Sequence, residues 1–240
     1  MAVPEIAEPL PPLQRGRLVA RPNRFLARVE LGDAAVEAHV PDPGRLEELL
    51  LPGAAVYVAA AGAPGRRTAY DLRLVEGPAG LVSVDSRVPN RLVARALAAG
   101  AWPAFAAYSS VKAEPRSRHG RFDFLLRGAG LPDCFIEVKG CTLVKEGTAL
   151  FPDAPTARGA RHLRDLAALA LSGSRAAALF IVQRADARCF RPHARLDPEF
   201  AAACWEASTA GVELRAFRCS VTRAAITLIE EIPVVLGRAQ

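Results

Sequence analysis

Two runs, Arg121-Phe-Asp-Phe-Leu-Leu-Arg127 and Phe135-Ile-Glu-Val-Lys-Gly140, separated by a Gly-rich break, constrain this chain more than any other feature. Both read as strands. Strand side chains alternate faces, so Glu137 and Lys139 share one face while Ile136 and Val138 take the other. Asp123 falls opposite to Phe122, Phe124 and Leu126. Taking 127–133 as the turn centres a hairpin near Gly130 and pairs position 123 with position 137. Directly opposed residues carry Cβ atoms about 5 Å apart. Two carboxylates that close repel unless a cation sits between them, and hard divalent ions such as magnesium take that arrangement of oxygens. The neighbouring lysine suits a phosphate or a metal-bound water. An amphipathic hairpin with a solvated polar face would show the same residues, so both readings stand on the strand pattern alone. Composition leans toward function. The chain has 28 Arg and only three Lys, at 112, 139 and 145, so a lysine here is unusual.

The arrangement of Asp123 with Glu137-Val-Lys139 resembles the signature of the metal-dependent PD-(D/E)xK nucleases. Phe122, not Pro, precedes the aspartate. Pro132-Asp133 lies too near Glu137 to occupy a separate strand, which leaves Asp123. Across the wider chain, motifs run nearly end to end: Arg21-Pro-Asn-Arg-Phe25, Ala38-His-Val-Pro41, Gly44-Arg45, Leu51-Pro-Gly53, Val84-Asp-Ser-Arg87, Pro89-Asn90, Phe151-Pro-Asp153, Arg158-Gly159, His162-Leu163 and Ile181-Val-Gln-Arg184. With Asp197-Pro198, Phe200 and Gly211-Val-Glu213, they resemble the sugar fermentation stimulation protein family. Asp42-Pro43 departs from the Asn-Thr usual before that Gly-Arg pair.

The resemblance implies an α/β protein of two parts. One is an OB-like β-barrel over 1–82 that binds nucleic acid. The other is a restriction-endonuclease-like α/β domain over 83–240 with a mixed central sheet. It implies a DNA-binding, cytoplasmic protein and a magnesium-dependent DNA nuclease hydrolysing phosphodiester bonds, with manganese as the alternative metal. Asp123, Glu137 and the backbone carbonyl of Val138 would bind the metal. Lys139 would orient or help deprotonate the attacking water. The alternative is a DNA-binding regulator of sugar-utilisation genes that keeps the nuclease fold without turnover. A metal or small-molecule domain without nucleic acid is a third reading. The oligomeric state is left open, a homodimer included.

Charge bears on the partner. Residues 1–82 hold 9 Arg against 10 acids, and the remainder holds 22 basic against 15 acidic residues. A basic C-terminal half around a carboxylate cluster fits a polyanion, although plain solubility would produce a similar excess. No apolar run approaches a membrane span, and the first residues lack the basic and apolar regions of a secretion signal. Five cysteines without a Cys-x-x-Cys pair fit free thiols in a reducing cytosol.

Residues 1–14 are Pro-rich and read as irregular. Strands are expected at 18–21, 25–31 and 34–40, a short helix at 44–50, and strands at 55–60 and 69–75, an OB order shared with other small β folds. The 61–67 loop is basic. A helix at 91–99, strands at 110–114, 121–126 and 134–139, a Thr156-capped helix at 157–171 and a buried strand at 176–183 follow. A helix at 199–210 and strands at 212–217 and 225–229 complete the chain. Arg158, Arg161 and His162 fall opposite the apolar stripe of the 157–171 helix, where they could contact phosphates or simply meet solvent. Glu114 is a third acidic ligand, a general base or a surface carboxylate. Arg21, Asn23, Arg24 and Arg45 lie at strand ends and loops where OB folds grip a nucleic-acid backbone. Phe25 reads as a core residue or a stacking platform. His39 has no pattern marking a metal ligand.

Overall fold

The computed structural model describes residues 5–62, 65–117 and 120–237. Residues 63 and 64 of the basic loop therefore lie outside the described residues. In chain order the strands of the N-terminal half are β1 (Ala7–Pro9), β2 (Gln14–Asn23), β3 (Leu26–Leu31), β4 (Ala34–His39), β5 (Ala55–Ala60), β6 (Tyr70–Gly77) and β7 (Gly80–Ser83). Strands β2 to β7 form a sheet ordered β4-β3-β2-β5-β6-β7, and β4 also pairs with β6 in parallel, Ala38 beside Tyr70 and His39 beside Asp71. That pairing closes a five-stranded OB barrel around Leu18, Ala27, Val29, Val56, Val58 and Leu72.

The helix expected at 44–50 is a set of turns. Leu46 has φ +50°, outside the helical region. The carbonyls of Gly44 and Arg45, which would accept the first helical bonds, instead accept from the Arg21 guanidinium.

Beyond residue 84 come α1 (Val88–Ala98), β8 (Ser110–Ala113), β9 (Arg116–Ser117), β10 (Gly120–Arg121), β11 (Phe124–Arg127), β12 (Cys134–Cys141), β13 (Val144–Lys145), β14 (Thr148–Phe151), α2 (Ala157–Leu171), β15 (Arg175–Val182), β16 (Cys189–Pro192), α3 (Pro198–Thr209), β17 (Glu213–Val221) and β18 (Ala225–Ile232). The main sheet runs β1-β18-β17-β15-β12-β11-β8 and is mixed, with β15 parallel to both β12 and β17. Strand β15 is central and covered on both faces, which is why its sequence is continuously apolar. Ala178, Phe180 and Val182 meet α2 and α3, while Ala177, Leu179 and Ile181 meet α1. Helix α2 starts where its cap requires, with Thr156 accepting from the Gly159 N–H at 3.0 Å.

Residues 7–9, expected to be irregular, pair with β18 as an edge strand of this sheet. Ile6 joins the core under α1. The chain thus lies on the second sheet at residues 7–9 before it enters the barrel at β2. Among the described residues no helix is long and apolar enough to cross a membrane.

Candidate active site

The hairpin register is as the spacing requires. Phe124 pairs with Ile136 and Leu126 with Cys134, which brings Asp123 opposite Glu137, and Gly130 takes φ +71° in the turn. The alternation breaks at one point. Phe122 and Phe124 should share a face, yet Phe122 packs in the core under α2 and Phe124 in the core under α1. The chain bends at residue 123, between β10 and β11, where the Asp123 N–H donates to the Ile136 carbonyl at 3.1 Å. The bend puts the Asp123 carboxylate beside the backbone of β12.

Both Asp123 oxygens are held. Oδ1 accepts from Asn90 Nδ2 at 2.6 Å, and Oδ2 accepts from the Val138 N–H at 2.7 Å. Val138 therefore meets this carboxylate through its N–H. Burial pushes the Asp123 carboxyl up and the Glu137 charge adds to it; the Val138 N–H, Asn90 and Lys139 only partly oppose them, so the group ends above the ordinary carboxylate range.

Glu137 is buried. Its Oε1 receives Lys139 Nζ at 2.5 Å and the Nδ1 of His162. Oε2 takes part in neither bond. Burial raises this carboxyl, but the His162 bond and the Lys139 ammonium outweigh burial and hold it below the ordinary range. Arg158 Nε lies 3.4 Å from His162 Nε2. A guanidinium can only donate, so Nε2 is the acceptor, and the ring proton sits on Nδ1, aimed at Glu137.

His162 thus corrects its expected position. It is buried and its ring packs edge-on against Phe122, 6.2 Å between centroids, on the inner side of α2. Arg158 and Arg161 are exposed as expected. Asn90 was missed as a site residue. Its signal was Pro89-Asn90 at a helix start, but only the tertiary fold aims the amide at Asp123. Glu114 sits just past β8 at φ +47°, exposed, with its carboxylate 2.8 Å from Arg121 Nη1. Its N–H donates to the Asp123 carbonyl at 2.9 Å, so its backbone, not its carboxylate, meets the site.

The barrel residues divide. Arg24 and Arg45 are exposed, while the Arg21 guanidinium is committed to the carbonyls of Arg24, Gly44 and Arg45. Asn23 Oδ1 accepts from the Phe25 N–H at 2.9 Å and shapes the β2–β3 turn. Phe25 lies outside the core, 52% exposed.

A closed OB barrel followed by an α/β domain with a mixed sheet, carrying Asp, Glu and Lys on one hairpin, defines a two-domain class. Family models match both parts: the sugar fermentation stimulation protein N-terminal OB domain over residues 19–84, and the sugar fermentation stimulation protein RE domain over 87–225. The chain belongs to the sugar fermentation stimulation protein family. It is 48% identical to a sugar fermentation stimulation protein homolog of Moorella thermoacetica over 93% of this chain and 97% of the relative. It is 45% identical to the Chloroflexus aurantiacus homolog over 93% and 86%. The solved structure of Pyrococcus furiosus SfsA in complex with Ca2+ superposes with a TM-score of 0.88 at 29% identity, over 98% of this chain and 99% of that one.

Proposed function

We propose that this protein is a magnesium-dependent DNA nuclease whose centre is Asp123, Glu137 and Lys139. One observation carries the reading. Asp123 and Glu137 oppose each other across a bent hairpin, and the charge of Glu137 raises the Asp123 carboxyl. A cation between them would reverse that repulsion. Among the described residues no group of three His, Cys, Asp or Glu side chains is gathered to hold a metal. Magnesium fits such a sparse set, since it keeps several waters and uses one or two carboxylates; manganese accepts the same oxygens. The Pyrococcus furiosus relative was solved with Ca2+, another hard cation with oxygen ligands.

When bound, the metal would supply Lewis-acid polarisation of the scissile phosphate. The chain's own residues do the rest. Asn90 and the Val138 N–H fix the Asp123 carboxylate, and His162 fixes Glu137. Lys139, only partly buried, would orient the attacking water and stabilise charge on the transition state. Arg158 and Arg161 on α2 and Arg24 and Arg45 on the barrel would meet DNA phosphates. The unpaired thiols of the described cysteines fit action in the reducing cytosol.

A DNA-binding protein without turnover is favoured by one feature: Lys139 and His162 already compensate Glu137 without a metal. Labelled single- and double-stranded DNA incubated with magnesium, manganese or EDTA decides between the two. Asp123→Ala and Glu137→Ala should each abolish metal-dependent cleavage and leave DNA binding within a few-fold. Equal cleavage by wild type and both variants would remove these residues from the chemistry.

A further inference from the structure

The barrel carries a shallow pocket of about 320 Å³ that the carboxylate centre does not use. Its walls are Phe25 and Leu26 at the β2–β3 turn, His39 on β4, and Arg66, Arg67 and Thr68 from the loop between β5 and β6. Phe25 is a large aromatic ring left more than half in solvent. Its plane lies 21° from that of His39, with 6.4 Å between ring centroids, so the two present near-parallel faces. The His39 Nδ1 lies 3.1 Å from the Phe25 carbonyl, which holds the imidazole in that orientation. An apolar aromatic floor bounded by arginines suits a nucleobase with its phosphates. The first and fourth interstrand loops are also the places where OB barrels take oligonucleotides.

A chain of ion pairs leads from the pocket wall to the start of α1. Arg66 reaches Asp71 Oδ1 at 2.5 Å, and Arg87 lies 3.8 Å from Asp71 Oδ2. Arg87 also contacts Asp85, as do Arg73 and Arg91. Five arginines, 66, 73, 87, 91 and 95, thus meet three acids, Asp71, Asp85 and Glu8, so this strip keeps a net positive charge. It ends at the start of α1, where Asn90 holds Asp123. Bases seated at Phe25 and phosphates on Arg66, Arg67 and Arg87 would lead a strand to the carboxylates. A duplex keeps its bases stacked inside and cannot offer one to Phe25 without unpairing.

We propose that the Phe25–His39 pocket seats an unpaired base of single-stranded DNA and that the Arg66–Arg87 strip guides the same strand to Asp123. The choice of DNA rests on the nuclease reading above; the single-strand preference rests on the pocket. The test is equilibrium binding in EDTA, where no cleavage occurs. The probes are a fluorescein-labelled oligo-dT, the same oligo-dT carrying one 2-aminopurine, a blunt duplex and an oligo-U RNA. Wild type should bind the single-stranded DNA more tightly than the duplex or the RNA, and quench the 2-aminopurine by stacking. Phe25→Ala should weaken single-strand binding roughly 5- to 100-fold and lose the quenching. Phe25→Trp should restore both. Arg67→Glu should weaken binding and reduce its salt dependence by about one phosphate contact. Unchanged affinity and quenching in a folded Phe25→Ala protein overturns the proposal, as does tighter binding of duplex or of RNA by the wild type. If Phe25-dependent single-strand binding is found but wild type never cleaves with metal, this site stands and the nuclease reading falls.

Discussion

Asp123 and Glu137 are chemically alike, yet the fold drives them apart. Asp123, desolvated and facing a like charge, sits above the ordinary carboxylate range, whereas Glu137, also desolvated, sits below it because His162 and Lys139 share its Oε1. The consequence for pH follows from the sign. A carboxyl raised by folding contributes stability below its unfolded pKa and loses it as pH rises through the folded value. Magnesium would bind only the ionised form. Added magnesium should therefore stabilise the fold at about pH 8, by about 3 kcal/mol at 100-fold excess over Kd, with a matching rise in melting temperature, and have no effect near pH 4. The shift should vanish in Asp123→Asn. A magnesium shift of equal size in that variant would move the metal elsewhere. Lys139→Arg keeps the charge but not the shape or the proton lability, and should lose most turnover with the fold retained. Wild-type cleavage by that variant would show that only charge is needed. Asp123, Glu137 and Lys139 were legible because strand alternation and one turn place them. Asn90 and His162 were not, because their roles come from a helix start and a helix face docked on the hairpin from 33 and 25 residues away.

Strand and helix identity was written locally in most of the chain, and it failed where tertiary contacts compete with local hydrogen bonds. Helix α2 has its Thr156 cap, and β15 has its unbroken apolar run. The turn at 42–46 has instead a helix-like sequence overruled from outside. Arg21 takes the carbonyls of Gly44 and Arg45, and Asp153 Oδ2 takes the N–H groups of Arg45 at 2.8 Å and Leu46 at 3.3 Å. Gly44 is needed because a Cβ there would lie 2.6 Å from Asp153 Oδ2 and 2.9 Å from Asp42 Oδ1. Nothing within 42–46 announces partners at 21 and 153. Arg21 is therefore a structural cation, and its desolvation lowers its pKa from the free guanidinium value. Arg21→Ala should destabilise the protein by about 2–3 kcal/mol, the worth of charge-assisted bonds left unmade. Urea unfolding measures this, and a loss below about 0.5 kcal/mol, the range of ordinary surface changes, would return Arg21 to the surface.

The two halves are coupled at several independent places. Asp153 ties the barrel turn from the far domain. Ser83 Oγ donates to Gln183 Oε1 at 2.9 Å, and the Ser83 N–H to the Gln183 carbonyl at 3.1 Å, both at buried residues. Residues 7–9 cap the edge of the second sheet, and Glu8 pairs with Arg91 and Arg95 of α1. This explains why a boundary near residue 82, readable as a change of composition, does not make the first residues belong to the barrel alone. The joint also holds an acid whose state matters. Burial, with Asp153 and Asp85 nearby, raises Asp42 to about 6 despite the Gly44 N–H on its Oδ1. A raised carboxyl costs stability once ionised, so the joint should be firmest below about pH 4 in its own contribution and weaken as pH rises through about 6. Calorimetry of the intact chain should accordingly show one cooperative transition in mild acid. Asp153→Ala removes the anion that orders residues 45 and 46, and should split unfolding into a barrel transition and a later one for the main sheet. Asp42→Asn keeps an acceptor for Gly44 and removes the charge, so its gain in melting temperature over wild type should be absent below about pH 4, grow as pH rises through about 6 and then level off. A single transition in Asp153→Ala, or an Asp42→Asn gain independent of pH, would show that the domains are held by the Ser83–Gln183 and β1–β18 contacts alone.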